Sequence, residues 1–321
     1  MSTSKKVLVT ATNYSVLCKE AKEKLRQHGL EVIENPYGRP MTDQELKLYV
    51  PDVDAVIAGV DTWDDNIFQI APKLRVISRF GVGIDNINLD QARLRGITVT
   101  NAPRLNANGV AELTIGLIFS ALRNIPNLNE STKKGYWERF VGNEISGKTI
   151  GLLGFGNIPQ MVAKKMQGFD VNLCAYDKYP NFEKAKEYHV QMLSLDETLR
   201  SSDIICMHLP SIKETYHIMN KENFKKMKDK AYFINTARGA LVDEQALYWA
   251  LNSEKLSFAA IDVFEDEPVA KDNPLFSLPN IVTTPHTAAE TYQIYHDVGL
   301  LTADAVIDVL EGKIPLNIVK E

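Results

Sequence analysis

KTIGLLGFGNIPQMVAKKM, residues 148–166, decides how this chain reads. Its first half is an apolar run of strand length, its second half has helical periodicity, and Gly154 and Gly156 stand at the junction. A glycine at 154 permits a tight turn, and one at 156 lets the backbone come close to phosphate oxygens. The helix that starts near Asn157 offers free N–H groups and a partial positive charge. The third place, commonly small, is Pro159; it falls in the first helical turn, where a missing N–H costs little. The next strand ends in Asp177, about 20 residues beyond the glycines, where a carboxylate accepts the ribose hydroxyls of adenosine and repels a 2′-phosphate. Alone, Asp177 reads equally well as a strand-end turn residue; behind this turn, it points to NAD over NADP.

The same rhythm extends outward. In 321 residues, 45% apolar and 24% charged, there is core for about two domains. KVLVTA (6–11), LEVI (30–33), DAVIAGV (54–60), LRVISRF (74–80) and ITVTNA (97–102) read as strands alternating with amphipathic helices. A second block has KTIGLLGF (148–155), VNLCAYD (171–177), IICMHL (204–209), AYFINTA (231–237), FAAIDV (258–263) and IVTTP (281–285). Such alternation is the mark of an α/β chain with two doubly wound parallel sheets. Between the blocks, an uninterrupted helical pattern from Asn106 to about Asn129 is apolar on more than one face, which suits a core helix and a dimer element alike. A final helix is expected from Ala288 to Leu310.

Charge narrows the function classes. A formal net charge of −5, with Lys and Arg scattered among acids, gives no footprint for nucleic acid or an anionic membrane surface. The longest apolar stretch, near Leu113–Leu122, is half of the ~20 residues that span a bilayer. Cys18, Cys174 and Cys206 are widely separated and, with the histidines, show no metal-ligand spacing. Free thiols and a polar amino terminus make the cytoplasm the expected compartment and small solutes the expected partners.

Ligands of open parallel sheets sit at the carboxyl ends of strands. There the second block places Thr236, Arg238 and Gly239; then Asp262 followed by Glu265, Asp266 and Glu267; then His286. A guanidinium grips a carboxylate in two bonds, an imidazole gives or takes a hydroxyl proton, and a carboxylate orients the imidazole. Of six histidines, His28 and His189 lie in charged helical segments, and His217 and His296 have no partner suggested by sequence. His208 ends a strand just before Pro210 and reads as shaping a loop over the cofactor. Taken alone, His286 is best explained structurally; in concert with Arg238 and Glu267 it reads as catalytic.

These residues resemble the D-2-hydroxyacid dehydrogenases, in particular the phosphoglycerate dehydrogenase-like branch. The likeness runs through RFGVGIDNIN (79–88), TNAPRLNANGVAE (100–112), GFGNI with Asp177, HLP, NTARGALVDE, DVFEDEP and TPHTA. It implies Arg238 as substrate anchor, Glu267 as the partner of the histidine and His286 as general acid/base. Asn157, Ile158, Asp177, Thr236, Arg238 and Asp262 are implied as NAD contacts, and Val82 and Gly83 as backbone donors to the substrate. It also implies a Rossmann-type NAD domain (104–289) inserted in a flavodoxin-like substrate domain (1–103 and 290–321), and a homodimer built on the long helix. The sequence ends soon after its last helix, so the regulatory carboxy-terminal domain of some relatives is not expected. The chain departs from the phosphoglycerate pattern in AGVDTWDD (58–65), which holds Asp61, Asp64 and Asp65 and no cation. Arg79 and Arg104 flank the expected pocket, so 3-phosphoglycerate and small acids such as hydroxypyruvate or glyoxylate both stay open. A rival of another class is an NAD-sensing binding protein without turnover.

Overall fold

The computed structural model describes residues 4–319. It divides into two units, one formed by the chain up to Asn106 together with the chain from Ala289, the other by Ala107–Ala288. In the first, β1 (Lys6–Val9), β2 (Glu31–Glu34), β3 (Ala55–Ala58), β4 (Val76–Arg79) and β5 (Thr98–Thr100) make a sheet of order β2-β1-β3-β4-β5 among the described residues. All its pairs are parallel, with Val7 opposite both Val32 and Ala55.

Parallel strands need helices on both faces, and alternation with period two decides which side chain meets which layer. Val7, Val9, Ala55, Ile57 and Val76 face one core, with Leu25, Val306 and Leu310 from helices Lys19–Gln27 and Tyr292–Leu310. Leu8, Val56, Ala58 and Ile77 face the other, with Leu46, Trp63 and Ile67.

The second unit holds β6 (Thr149–Leu153), β7 (Asn172–Tyr176), β8 (Val190–Met192), β9 (Ile204–Met207), β10 (Ala231–Asn235), β11 (Leu256–Ile261) and β12 (Ile281–Thr283). Their order is β12-β11-β10-β9-β6-β7-β8, again parallel throughout. From β6 the chain first builds toward β8, then returns to the other side at β9. That reversal is the topological switch point of a Rossmann sheet, and it opens a crevice at the carboxyl ends of β6 and β9. β8 is the strand that pattern reading misses, being three residues long with only Val190 fully buried.

The helical stretch after Asn106 is not continuous. Helix Ala107–Arg123 ends at Asn124, which adopts the left-handed conformation, and a second helix runs Ile125–Lys133 with Pro126 in its first turn. Pro126 has no N–H to bond back into the preceding turn, and asparagine tolerates the positive φ of 53° that the break requires. Nine residues of the first helix are buried, so it serves as a core helix of this unit. The final helix starts at Tyr292, later than the pattern from Ala288 predicts, because the Thr291 hydroxyl caps it by accepting from the N–H of Ile294. No helix among the described residues is long and apolar enough to cross a membrane.

Ile118 is 1% exposed and lies in the core between helix Ala107–Arg123 and the sheet. Ile118→Ala is expected to destabilise this unit by about 2–5 kcal/mol, through lost burial and an unfilled cavity. Urea unfolding followed by circular dichroism checks it, and a loss under 1 kcal/mol, on the order of a surface change, would contradict the placement.

Candidate active site

The cofactor turn is built by two close approaches. Gly154 has φ of +105°, and a Cβ there would lie 2.7 Å from the carbonyl oxygen of His208 at the end of β9, so only glycine fits. At Gly156 a Cβ would meet nothing within 4 Å. This is the open flank that a pyrophosphate needs. Helix Asn157–Met166 follows with no side chain capping it, which leaves the amides of Asn157 and Ile158 without an intrahelical acceptor. Pro159 is buried in the first turn. The carbonyl of Phe155, just ahead of the helix, accepts from the side chain of Gln160 at 2.8 Å.

Asp177 stands at the end of β7. One of its carboxylate oxygens accepts from the N–H of Phe155 at 2.7 Å and the other from Tyr179 at 2.8 Å. The first bond ties the carboxylate to the glycine turn, while each oxygen keeps a lone pair for a ribose hydroxyl. These residues fit NAD.

Arg238, Glu267 and His286 come together at the carboxyl ends of three neighbouring strands, β10, β11 and β12. Nδ1 of His286 lies 2.6 Å from Oε2 of Glu267, while Oε1 of Glu267 accepts from the N–H of Phe264 at 3.0 Å. The ring therefore donates through Nδ1 and leaves Nε2 for proton exchange. Burial alone pushes the Glu267 carboxyl up. The hydrogen bond and charge of His286, the Phe264 N–H and the charge of Arg238 outweigh it and hold the group below its ordinary range. Arg238 is half-buried, with Nη1 donating to the carbonyl of Ala237 at 2.7 Å. A Cβ on Gly239 would lie 1.8 Å from the carbonyl oxygen of Phe264, so the Arg238 turn and the Glu267 loop are pressed backbone to backbone.

Asp262 is 0% exposed and turned into the protein. It accepts from the hydroxyl of Thr284 at 2.5 Å, from the N–H and hydroxyl of Thr287 at 2.9 and 3.3 Å, and from the N–H of Ala288 at 2.9 Å. Its carbonyl accepts from the N–H of His286 at 2.8 Å. Both of its oxygens thus organise the loop that carries the histidine. Thr236 is buried and lies 2.8 Å from the hydroxyl of Thr114. Because Thr114 donates to the carbonyl of Val110, Thr236 is the donor of that pair.

This architecture has known counterparts. Residues 115–288 match the family model described as "D-isomer specific 2-hydroxyacid dehydrogenase, NAD binding domain". The chain is 42% identical over 92% of its length to a D-3-phosphoglycerate dehydrogenase of Archaeoglobus fulgidus, covering 56% of that protein. It is 38% identical over 88% of its length to a glyoxylate reductase of Thermofilum pendens, covering 86% of it. The crystal structure of the TT0316 protein from Thermus thermophilus superposes with a TM-score of 0.89 at 33% identity, covering 98% of this chain and 100% of that one. The chain belongs to the D-isomer specific 2-hydroxyacid dehydrogenase family. It spans little more than half the length of the archaeal phosphoglycerate dehydrogenase it matches.

Within this family member, the other expected groups lie in the first unit, around the end of β4. The Arg79 guanidinium lies over Gly81, where a Cβ would come 2.9 Å from Nη1, and the amides of Val82 and Gly83 donate to no acceptor among the described residues. Two polar clamps escape sequence reading. Asn235, 1% exposed, accepts from the N–H of Ala237 and donates to the carbonyl of Arg238, both at 3.0 Å, and so shapes the arginine turn. His217 bonds Glu265, joining the loop after β9 to the loop that carries Glu267. The strand-end position of Asn235 was the available signal; the His217 contact spans 48 residues and left none.

Both ring nitrogens of His208 are buried without a partner among the described residues, and burial pushes the imidazole down to about 3. An unfolded histidine takes up its proton near pH 6.5. The neutral buried ring therefore contributes stability that is fully present above pH 6.5 and is lost as pH falls toward 3. The stability gap between the protein and His208→Gln should shrink across that window and stay flat above pH 7. Urea unfolding at a series of pH values checks this, and a gap independent of pH would refute it.

Proposed function

We propose that this chain catalyses NAD-linked interconversion of a small 2-oxo acid and its D-2-hydroxy acid. The observation that carries the reading is His286 Nδ1 at 2.6 Å from Glu267, a carboxylate that also feels the charge of Arg238. The names of the two curated relatives, for D-3-phosphoglycerate and for glyoxylate, support the same class of acid. Gly154, Gly156, Asn157, Ile158, Asp177, His208 and Thr236 hold the cofactor, and Arg238 grips the acid's carboxylate with its planar fork. Arg79 and the amides of Val82 and Gly83 are further groups able to bind an acid. Bound NADH supplies a hydride to C2 of the acid, and bound NAD accepts one in the reverse direction.

In reduction, protonated His286 delivers its Nε2 proton to the 2-oxo oxygen as that oxygen gains negative charge. Glu267 stabilises the imidazolium before the step and keeps the ring aimed after it. In oxidation the neutral ring takes the hydroxyl proton. His286→Ala should lower kcat by roughly 10²–10⁴-fold with NADH affinity preserved. Glu267→Gln, whose amide can donate to Nδ1 and so fix the wrong tautomer of the ring, should likewise lower kcat by roughly 10²–10⁴-fold. Steady-state rates with NADH and a panel of 2-oxo acids test both. Tight NADH binding without turnover of any acid would replace the enzyme with a sensor.

We also propose that the protein is a homodimer of the cytoplasm. After the break at Asn124 the segment 135–144 exposes Tyr136, Trp137, Phe140 and Val141, with Trp137 87% and Val141 92% exposed. Adjacent large apolar groups left in water mark a contact surface. The three buried free thiols suit a reducing compartment. Light scattering on a sizing column should give the mass of two chains, and Trp137→Ser combined with Val141→Asp should give one; a wild-type monomer would overturn the dimer.

A further inference from the structure

Glu267 aims the ring of His286, so whatever fixes the short loop Phe264–Glu267 sets the geometry of proton exchange. The N–H of Phe264 holds one carboxylate oxygen of Glu267. Glu265, between them, carries the connections of the loop to the rest of the unit. Its N–H donates to Oε1 of Glu244 at 2.8 Å, and Oε2 of Glu244 accepts in turn from the side-chain amide of Asn273 at 2.8 Å. One oxygen of the Glu265 carboxylate accepts from the N–H of Glu244 at 3.4 Å, and the other pairs with Nε2 of His217. Glu244 opens helix Glu244–Asn252. The loop is therefore anchored to the first turn of that helix on one side and to His217 on the other.

His217 is a fixed post. Its N–H donates to the carbonyl of Ala240 at 2.9 Å, and the N–H of Met219 donates to that of Leu241 at 2.9 Å, so the segment after β9 is bonded to the turn that follows Arg238. The backbone holds a φ of +49° at His217, which a non-glycine residue keeps only where its surroundings impose it. The ring of Tyr216 stacks on the imidazole, with centroids 3.9 Å apart and planes 15° apart. The side chains of His217 and Glu265 are 29% and 31% exposed, so water competes only in part for the bond between them. Among the described residues His217 makes no hydrogen bond to Glu267 or His286; its influence reaches them through the backbone from Glu265 to Glu267.

Resting on the 2-hydroxyacid reading above, we propose that His217 is a positioning residue for proton exchange: by holding the Glu265 side chain it keeps Glu267 aimed at Nδ1 of His286. The test is a double-mutant cycle between His217 and Glu267, read as kcat with NADH and the 2-oxo acid that the wild-type protein turns over fastest. His217→Ala should lower kcat by roughly 10–10²-fold, the scale of a small misplacement transmitted from outside the chemistry, with KM for the acid and Kd for NADH within about threefold of wild type. In a Glu267→Ala background the same change should lower kcat by less than about twofold, because the group that His217 positions is already gone. A merely structural role would carry its full factor into that background. Such a retained loss overturns the proposal, as does a loss confined to KM or to NADH affinity, or no loss at all; in each case turnover by the wild-type protein leaves the dehydrogenase reading standing. Turnover of no acid by the wild-type protein overturns both. Should His217→Ala not fold, Glu265→Ala removes the same bond from the other side and runs the same cycle.

Discussion

The carboxylate of Asp262 is the constraint on which the site depends. A fully buried anion is tolerable only when hydrogen bonds replace its water, and four donors from Thr284, Thr287 and Ala288 do so. Satisfying them winds residues 284–288 tightly around one point. Within that winding, His286 takes a left-handed φ of +52°, a conformation that a non-glycine residue holds only when its surroundings impose it. The ring is thereby presented to Glu267. Glu267 in turn is fixed by the N–H of Phe264, and Phe264 by the missing side chain of Gly239. A line of contacts thus runs from the core of the sheet to the one imidazole nitrogen left for chemistry.

The strand order converts distance in sequence into proximity. Arg238, Glu267 and His286 are far apart along the chain, yet they follow β10, β11 and β12, which are adjacent and parallel. Neighbouring strands lie about 4.8 Å apart, so groups leaving the same end of three consecutive strands fall within one small volume. A parallel sheet gathers such groups at its carboxyl end because every strand runs the same way.

That geometry also explains what the sequence discloses and what it withholds. The strands are legible because both sheet faces are covered, which makes their residues nearly continuous apolar runs. Gly154 and Gly156 are legible because a turn that touches His208 on one side and opens on the other excludes side chains. Features with a long-range or short-range cause of another kind escape. Val190–Met192 is too short to show a period. The break at Asn124 is set by a proline two residues on, and a window dominated by apolar periodicity overrides that signal. His217 looks like a solvated loop residue until the fold brings Glu265 to it, and the four donors that gather on Asp262 come from a loop more than twenty residues on.

The two buried aspartates show why burial alone does not assign a role. Asp262 gathers three donors on Oδ1 and one on Oδ2, so hydrogen bonds from the fold replace water around its charge. Asp61 buries a comparable group with fewer donors: Oδ1 accepts from the N–H of Met41, and burial pushes the carboxyl up, against the pull of the Thr10 hydroxyl and that N–H. Although the core beside it, from Val56 through Trp63 to Ile67, is apolar, this carboxyl ties the loop after β3 to the backbone at Met41, a bond that an apolar side chain there would leave unmade.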